Sequence, residues 1–192
     1  GLSDALGEAL KKNDRNLPVL VMFQDEARFG RLSLPQRCWA PAPLRPVVVQ
    51  GVVREYTYAY AALAPTEGDL DWMIAPSMTT VEMGAFLRHV AERHGDRFVV
   101  MVVDGAPSHR ATHLHVPDNM ALVRLPPYSP ELNPTEHLWD EMREKHFANR
   151  VFDSMGAVIA QALTALVQWE ASPEAVRSLA GWPWILQALQ SL

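Results

Sequence analysis

Three acidic residues occupy positions where their side chains could act together in catalysis. Asp25 follows the apolar run 17–23, and Asp104 follows the apolar run 98–103. Glu136 lies in the first turn of a predicted helix. Hard cations such as Mg2+ prefer oxygen ligands, and two such ions about 3.5–4 Å apart can bind the attacking and leaving oxygens of a phosphoryl transfer. The three acids therefore predict a divalent-metal site that acts on phosphodiesters.

Each acid also has a purely structural explanation. Asp104 could shape a turn with the glycine that follows it, and Glu136 could be the capping-box partner of Asn133. Asp25 could form an ion pair with Arg28. A shared site explains all three together, because two of them follow strongly apolar strands, where a solvated charge has little structural purpose.

Nearby histidines raise the question of a second metal chemistry. His109, His113 and His115 lie close in sequence, and neutral imidazoles bind zinc. A zinc site needs three or four ligands held by hydrogen-bonding partners, and this segment offers no evident ones. His109 follows Asp104 closely enough to contact the scissile phosphate or a leaving oxygen, so we include it among the candidate catalytic residues.

The composition predicts one domain of ordinary size. The chain has 192 residues, and its 48% hydrophobic and 20% charged residues are close to the values of an average soluble protein. No run approaches the ~18 apolar residues of a membrane span, and the polar N-terminus has no signal-peptide core, so we expect an intracellular protein with no membrane partner.

The only cysteine, Cys38, excludes an internal disulfide and favours a buried structural thiol over a nucleophile. A net charge of −5 does not exclude DNA, because local basic patches decide phosphate binding.

The hydrophobic pattern places the three acids on alternating strands and helices. Apolar runs and period-two alternation predict strands at 17–23, 47–53, 55–63, 70–74, 98–103 and 121–125. Helical spacing and capping signals predict helices at 2–10, from Thr79 or Thr80 to Gly95, at 134–146, from an Asp153 cap, and from Ser172 and Pro173 to Gly181. The aromatic tail 182–185 is expected to dock on the core.

These elements predict an α/β fold with a mixed sheet and flanking helices. Strands 47–53, 55–63 and 70–74 are expected to form an antiparallel meander after the Asp25 strand. The succession of strand, helix and strand that ends at Asp104 implies a crossover connection with parallel pairing.

A segment rich in proline and arginine, residues 28–46, is a candidate surface for DNA. Its four prolines exclude a helix and predict either an extended arm that faces phosphates or a solvated loop that folds back on the sheet. Tyr56, Tyr58 and Tyr60 then alternate along one strand face, which favours cross-strand packing over a platform for stacking bases. The predicted DNA contacts are Arg28, Arg31, Arg37, Arg45, Arg110, Arg143, Lys145 and Arg150.

Three stretches of the sequence resemble the catalytic core of the DDE transposases. They are Gln24 to Gly30, Asp104 to His109, and Pro126 to Trp139, within a resemblance that extends over about residues 19–150. The most similar branch is the bacterial insertion sequences of the mariner superfamily. The proline-rich block before Glu136 is the most specific of the three motifs.

The resemblance implies a ribonuclease H-like fold in which Asp25, Asp104 and Glu136 hold two Mg2+ or Mn2+ ions, with Asp25 bridging both. Such transposases cut double-stranded DNA at transposon ends by activating water. The freed 3'-hydroxyl then attacks target DNA, typically at a TA dinucleotide. The resemblance also implies a homodimer, because two ends are paired, and a place in the bacterial cytoplasm near the nucleoid.

Two other functions are compatible with these motifs. The first is a catalytically silent transposase remnant that binds DNA or a partner subunit. The second is a nuclease of the same fold that acts on RNA–DNA hybrids. Three acids at such positions favour the enzyme, because a binding module has no need of them.

The chain departs from the family pattern at several points. Gly105 stands where many relatives have Asn, and Glu136 in place of Asp indicates the bacterial branch. No segment matches the N-terminal helix-turn-helix region that reads transposon ends in full-length relatives, so we expect a separate helix-turn-helix subunit or a missing N-terminal domain. The predicted organisation is an N-terminal helix and linker (1–16), a catalytic core (17–150) and a C-terminal helical extension packed on the core (151–192).

Overall fold

The structure, a computed structural model, has a five-stranded mixed sheet at its centre, in the order β3-β2-β1-β4-β5. It describes residues 2–31, 37, 39–47, 53–105, 114–126 and 132–190. The strands are β1 (Val19–Gly30), β2 (Tyr56–Leu63), β3 (Leu70–Ala75), β4 (Phe98–Val103) and β5 (Met120–Arg124). This architecture confirms the predicted mixed sheet with flanking helices.

Helices cover both faces of this sheet. In the described part of the chain they are α1 (Leu2–Leu10), α2 (Thr80–Arg93), α3 (Thr135–Met142), α4 (Met155–Glu170), α5 (Pro173–Ala180) and α6 (Pro183–Gln190). A π-helical turn, Arg143–Phe147, continues α3 without a break. None of the helices in these ranges is both long and apolar enough to cross a membrane.

The antiparallel meander consists of β1, β2 and β3 rather than of three strands that follow β1. β1 pairs with β2, and β2 pairs with β3, both in antiparallel orientation. The predicted strand 47–53 has Val47 and Val53 outside any strand, and its residues 48–52 lie outside the described part of the chain. β1 therefore supplies the third strand of the meander itself, because β2 pairs along one of its two edges.

β1 extends past Asp25 to Gly30, so the prediction that this strand ends at residue 23 is wrong. Its second half continues in register with β2. Ala27 and Phe29 are buried whereas Arg28 is exposed, which is the alternation expected of a strand with one covered face. Arg28 and Phe29 therefore belong to the sheet and not to the predicted arm.

β4 joins the free edge of β1 and pairs with it in parallel, as predicted for the strand that ends at Asp104. β5 then pairs in parallel with β4. The central strands β1 and β4 are almost continuously apolar, because helices cover both of their faces. Asp25, within β1, and Asp104, directly after β4, thereby come to lie on neighbouring parallel strands.

The two faces of the sheet bury separate hydrophobic clusters. On one face, α2 packs Phe86 and Leu87 against the central strands. On the opposite face, α1 and α3 to α6 cover a larger cluster that includes Phe23 and Trp139. Tyr60 is fully buried on the α2 face with its ring centre 5.7 Å from that of Phe86, so this member of the tyrosine series serves packing.

Helix capping differs from the prediction at α4. The cap is Ser154, whose hydroxyl accepts a hydrogen bond from the backbone N–H of Ala157, and not Asp153. Ser154 has the extended backbone conformation of an N-cap residue, which brings its short side chain within reach of that N–H. α2 begins after Thr79 and α5 begins after Ser172, as predicted.

The aromatic tail docks on the core as expected and forms a further helix, α6, which the sequence did not predict. Ile185 is fully buried, and Trp182 and Trp184 pack half-buried against the larger cluster. The two indole rings lie 6.2 Å apart between their centres. The C-terminal helices therefore close the same face of the sheet on which α3 lies.

Candidate active site

β1 directs the carboxyl group of Asp25 toward the face of the sheet that α3 covers. Asp25 shares this face with the buried side chains of Phe23 and Ala27, two residues before and after it. Only 7% of the surface of Asp25 is exposed. A carboxylate is costly to bury unless hydrogen bonds or opposite charges compensate for the lost water. The residues around Asp25 therefore decide what this position can do.

Asp104 directly follows β4, the parallel neighbour of β1. The register pairs Phe23 with Val102. Two residues further along from each, and therefore on the same face of the sheet, are Asp25 and Asp104. The charge of Asp104 raises the pKa of Asp25 and of Glu136. The three acids, far apart in sequence, therefore interact electrostatically where β4 ends beside the middle of β1.

The start of α3 is hydrogen-bonded to the backbone of β1. The side-chain amide of Asn133 donates to the carbonyl oxygen of Gln24 over 2.9 Å, and the hydroxyl of Thr135 donates to the carbonyl oxygen of Phe23 over 2.7 Å. Both side chains are buried. These bonds hold the first turn of α3, and with it Glu136, against the strand.

Trp139, one turn further along α3, contacts Asp25 directly. Its indole N–H donates a hydrogen bond of 2.9 Å to Oδ2 of Asp25. The ring is fully buried and meets the ring of Phe29 edge-on, with 6.1 Å between the centres. Because residues three apart lie on the same side of a helix, Glu136 and Trp139 both face β1.

Asp25 lies in an environment that disfavours its charged form. Burial raises the pKa of Asp25 well above its ordinary value, and the charge of Glu136 raises it further. Glu26 and Asp104 act in the same direction, against a backbone hydrogen bond at Glu26 that lowers the pKa. When burial and like charges raise the pKa of a carboxyl group, a bound cation would stabilise its charged form.

Glu136 is half-buried and experiences both signs of charge. Burial raises its pKa, and the carboxylates of Asp140 and Asp104 add to this effect. The guanidinium of Arg143 opposes them and is the strongest influence that lowers the pKa of Glu136. The net effect of all these groups is still a raised pKa. Of the predicted DNA contacts, Arg143 is thus shown to act electrostatically on a site carboxylate.

The donor chemistry of this region fits a hard divalent cation. All three acids offer carboxylate oxygens, which Mg2+ and Mn2+ prefer, and their mutual repulsion would be relieved by positive charge. Within the described ranges, no three His, Cys, Asp or Glu side chains are gathered closely enough to form a metal-binding group. The carboxylates therefore share one electrostatic environment without forming a completed coordination sphere among themselves.

Some of the predicted site residues lie outside the described part of the chain. They are His109 and Arg110; His113, weighed as a zinc ligand, and Cys38, expected to be a buried structural thiol, lie outside it too. His115 is described and is exposed ahead of β5. The contact of His109 with a scissile phosphate therefore stays a prediction.

The predicted DNA contacts from Arg28 to Arg45 differ in exposure. Arg37 and Arg45 are exposed, and Arg28 is exposed with its guanidinium 4.8 Å from the ring centre of Tyr56. Arg31 instead takes part in internal contacts. Its Nε donates to the carbonyl oxygen of Phe152 over 3.0 Å, and its Nη1 lies 3.2 Å from Oε2 of Glu55.

A second group of predicted DNA contacts follows Glu136 along the chain. Arg143, Lys145 and Arg150 are all exposed. Arg143 and Lys145 form ion pairs with Asp140 and Glu141 of α3. Exposed ion pairs of this kind contribute little stability, so phosphate groups could replace these carboxylates as partners.

Sequence analysis missed Asn133, Thr135 and Trp139 as contributors to the site. Asn133 was considered only as a capping-box partner and Trp139 only as part of the predicted helix 134–146. The bonds of all three residues to β1 depend on how α3 lies on the sheet. The spacing of three between Glu136 and Trp139 was the available signal, since it places both on one side of a helix.

Comparison with known proteins agrees with the motif analysis. Residues 20–159, more than half of the chain, match the family of DDE superfamily endonucleases. The uncharacterized protein y4pE/y4sA of Sinorhizobium fredii (strain NBRC 101917 / NGR234) is 32% identical over 111 residues, which cover 57% of this chain and 82% of that protein.

The fold is similar to that of Mos1 proteins in solved complexes. The Mos1 strand transfer complex matches with a TM-score of 0.58 at 15% identity, over 93% of this chain and 59% of the Mos1 chain. The Mos1 mariner paired end complex with Mn matches with a TM-score of 0.60 at 14% identity over the same shares. The chain thus spans about three fifths of the Mos1 chains, and the likeness confirms the ribonuclease H-like fold. On the match that covers most of its length, the chain belongs to the DDE superfamily endonucleases.

Proposed function

We propose that the chain is the catalytic part of a DNA transposase, which cuts DNA at transposon ends and joins the freed 3'-hydroxyl ends to target DNA. The observation that best supports this proposal is electrostatic: the charges of Glu136 and Asp104 raise the pKa of Asp25, and the charge of Asp104 also raises the pKa of Glu136. A binding module would gain nothing from this repulsion. Membership of the DDE superfamily endonucleases supports the same chemistry.

The carboxylates of Asp25, Asp104 and Glu136 would hold Mg2+ or Mn2+, two ions per site. Bound ions supply charge neutralisation at the phosphate and a more acidic nucleophile. The protein supplies the rigid frame, because Asp25 lies on the central strand and Glu136 on a helix bonded to that strand. Support for a cation comes from the all-oxygen donor set and from the raised pKa of Asp25.

DNA would bind across the end of β4, where the acids lie. Arg143 is the best supported contact, because its charge already acts on Glu136. A phosphate held by Arg143 would lie near the acids. Arg28 of β1 and Arg37 and Arg45, which lie between β1 and β2 in the chain, are also exposed and could hold more of the duplex. His109 would contact the scissile phosphate or a leaving oxygen.

The proposal includes partners that resemble those of the structural neighbours. The neighbours include a strand transfer complex and a paired-end complex with the left transposon end, both of Mos1. We accordingly propose that this chain acts as a homodimer on two DNA ends in the bacterial cytoplasm, with target joining at TA. Recognition of the end sequence would come from a helix-turn-helix region or subunit.

The decisive experiment is a nicking assay on supercoiled double-stranded DNA with the 192-residue chain and Mg2+. Asp104→Asn should abolish nicking while circular dichroism and melting temperature indicate an intact fold. Asp118→Asn, which removes a carboxylate at an exposed turn ahead of β5, should nick like the wild type. Unchanged nicking by Asp104→Asn would refute the proposal, and cleavage confined to RNA–DNA hybrids would indicate a nuclease instead.

A further inference from the structure

Three consecutive residues of β1 each accept a hydrogen bond from a residue in α3 or just before it. The carbonyl oxygen of Phe23 accepts from Thr135, and the carbonyl oxygen of Gln24 accepts from Asn133. The carboxylate of Asp25 accepts from Trp139. The bonds measure 2.7, 2.9 and 2.9 Å, and the donors are 0%, 2% and 0% exposed. The helix is therefore fixed in rotation and in height relative to the strand.

We infer that Trp139 and Thr135 are positioning residues that set how Asp25 and Glu136 present their oxygens to a bound cation. This inference rests on the proposed function. The Trp139 N–H bonds to Oδ2 of Asp25 and so restricts the orientation of the carboxylate. Thr135 precedes Glu136 directly, so its bond to β1 fixes the distance of Glu136 from the strand.

Neither group is placed as a ligand, because an indole N–H is only a donor and the Thr135 hydroxyl is fully buried against the backbone of β1. Their effect would pass through the two acids. Groups that hydrogen-bond to metal ligands typically change metal affinity by about 10- to 100-fold when they are removed. Ring packing of Trp139 on Phe29 does not require the N–H, so the two contributions of this side chain are separable.

The chain contains a matched control for each residue. The indole N–H of Trp72 donates to Oε2 of Glu170 over 2.8 Å, a tryptophan–carboxylate bond on the edge strand β3. The buried hydroxyl of Thr57 donates to the carbonyl oxygen of Ala75 over 3.2 Å, a threonine–strand bond between β2 and β3. Both bonds lie away from the three acids in the sheet order. Trp72→Phe and Thr57→Val thus remove the same kinds of bond elsewhere.

The test measures the dissociation constant of Mn2+ by electron paramagnetic resonance, together with the melting temperature of each variant. We expect Trp139→Phe and Thr135→Val each to weaken Mn2+ binding by about tenfold or more. Trp72→Phe and Thr57→Val should lose comparable thermal stability and bind Mn2+ like the wild type. Such a pattern assigns the loss to positioning, because a general loss of stability would affect all four variants alike.

Each site variant decides separately, so a variant that fails to fold leaves its counterpart to support or overturn the inference. Mn2+ binding by a folded Trp139→Phe or Thr135→Val equal to that of the wild type would overturn the inference and leave the proposed function intact. No Mn2+ binding by the wild-type chain would overturn the proposed function and this inference together.

Discussion

Glu136 raises the pKa of Asp25 from across the boundary between α3 and β1, with an effect second only to that of burial. The two side chains belong to elements that are distant in sequence but are tied together by the buried bonds of Asn133 and Thr135. A fold that holds two carboxyl groups this way is less stable when both are ionised, because the two negative charges repel each other. This conflict leads to measurable consequences for stability without metal.

The first prediction is that Asp25→Asn stabilises the protein in EDTA at neutral pH. The pKa of Asp25 is raised in the folded state, so the unfolded chain ionises at lower pH than the folded chain. Wild-type stability should therefore fall as the pH rises above the unfolded value of 3.8 and through the raised folded value. The asparagine has no such loss, and its amide oxygen can still accept the Trp139 bond. Urea midpoints measured between about pH 4 and pH 8 test this.

Asp118→Asn serves as the control for that series, since it removes an exposed carboxylate of equal charge. Its urea midpoint should follow the wild type across the pH range. If Asp25→Asn and the wild type showed parallel curves, the buried carboxyl group would not disfavour folding, and the electrostatic description of the site would be wrong.

The second prediction concerns the cation directly. Mg2+ or Mn2+ should raise the melting temperature of the wild type, because binding to the folded state alone stabilises by about 2.7 kcal/mol at 100 times the dissociation constant. For a protein of this size that corresponds to roughly 5–10 °C. Asp25→Asn and Glu136→Gln should lose most of this increase. A differential scanning fluorimetry titration that gave equal increases in these variants and the wild type would exclude the two acids as ligands.

The apolar runs of β1 and β4 and the acids near them could be predicted from sequence for a clear reason. A strand covered on both faces is almost continuously apolar, and few other segments of the chain look like it. Asp25 and Asp104 stand out against such runs. The predicted extent of β1 was wrong because the arginines and prolines of residues 28–46 obscured a strand pattern. In that pattern exposed Arg28 lies between buried Ala27 and buried Phe29.

The hydrogen bonds that organise the site could not be predicted in the same way. Asn133 and Thr135 donate to backbone carbonyl oxygens, and a pattern of side-chain types carries no information on where those oxygens lie. Trp139 looked like any buried aromatic residue of an amphipathic helix. Its bond to Asp25 depends on the rotation of α3, which is set by contacts with a strand far away in sequence.

The third prediction concerns a charge network away from the acids. Asp71 of β3 is fully buried, with Oδ1 2.9 Å from Nε of Arg93 and Oδ2 2.7 Å from Nε2 of His94. Arg93→Ala should destabilise the protein by about 1–3 kcal/mol, because it leaves a buried carboxylate short of a partner. Arg93 is itself partly exposed, so the full effect of a buried pair is not expected. Arg88→Ala, on the exposed side of the same helix, should change little.

The double variant Arg93→Ala with Asp71→Asn separates the two sources of that loss. It removes the unpaired charge, so urea denaturation should show part of the stability restored relative to Arg93→Ala alone. If Arg93→Ala and Arg88→Ala were equally stable, the Asp71 contact would contribute nothing measurable.

The fourth prediction tests whether DNA lies against α3. Arg143→Gln should weaken binding to a duplex and make the slope of log K against log salt less steep by about 0.9, the value for one phosphate contact on a DNA duplex. Arg97→Gln is the control, because Arg97 is ion-paired with Glu67 just ahead of β4, at the end of that strand opposite Asp104. Fluorescence anisotropy over a salt series measures both slopes. Equal slopes for Arg143→Gln and the wild type would place the duplex elsewhere, and the exposed arginines between β1 and β2 would then be the contacts to test.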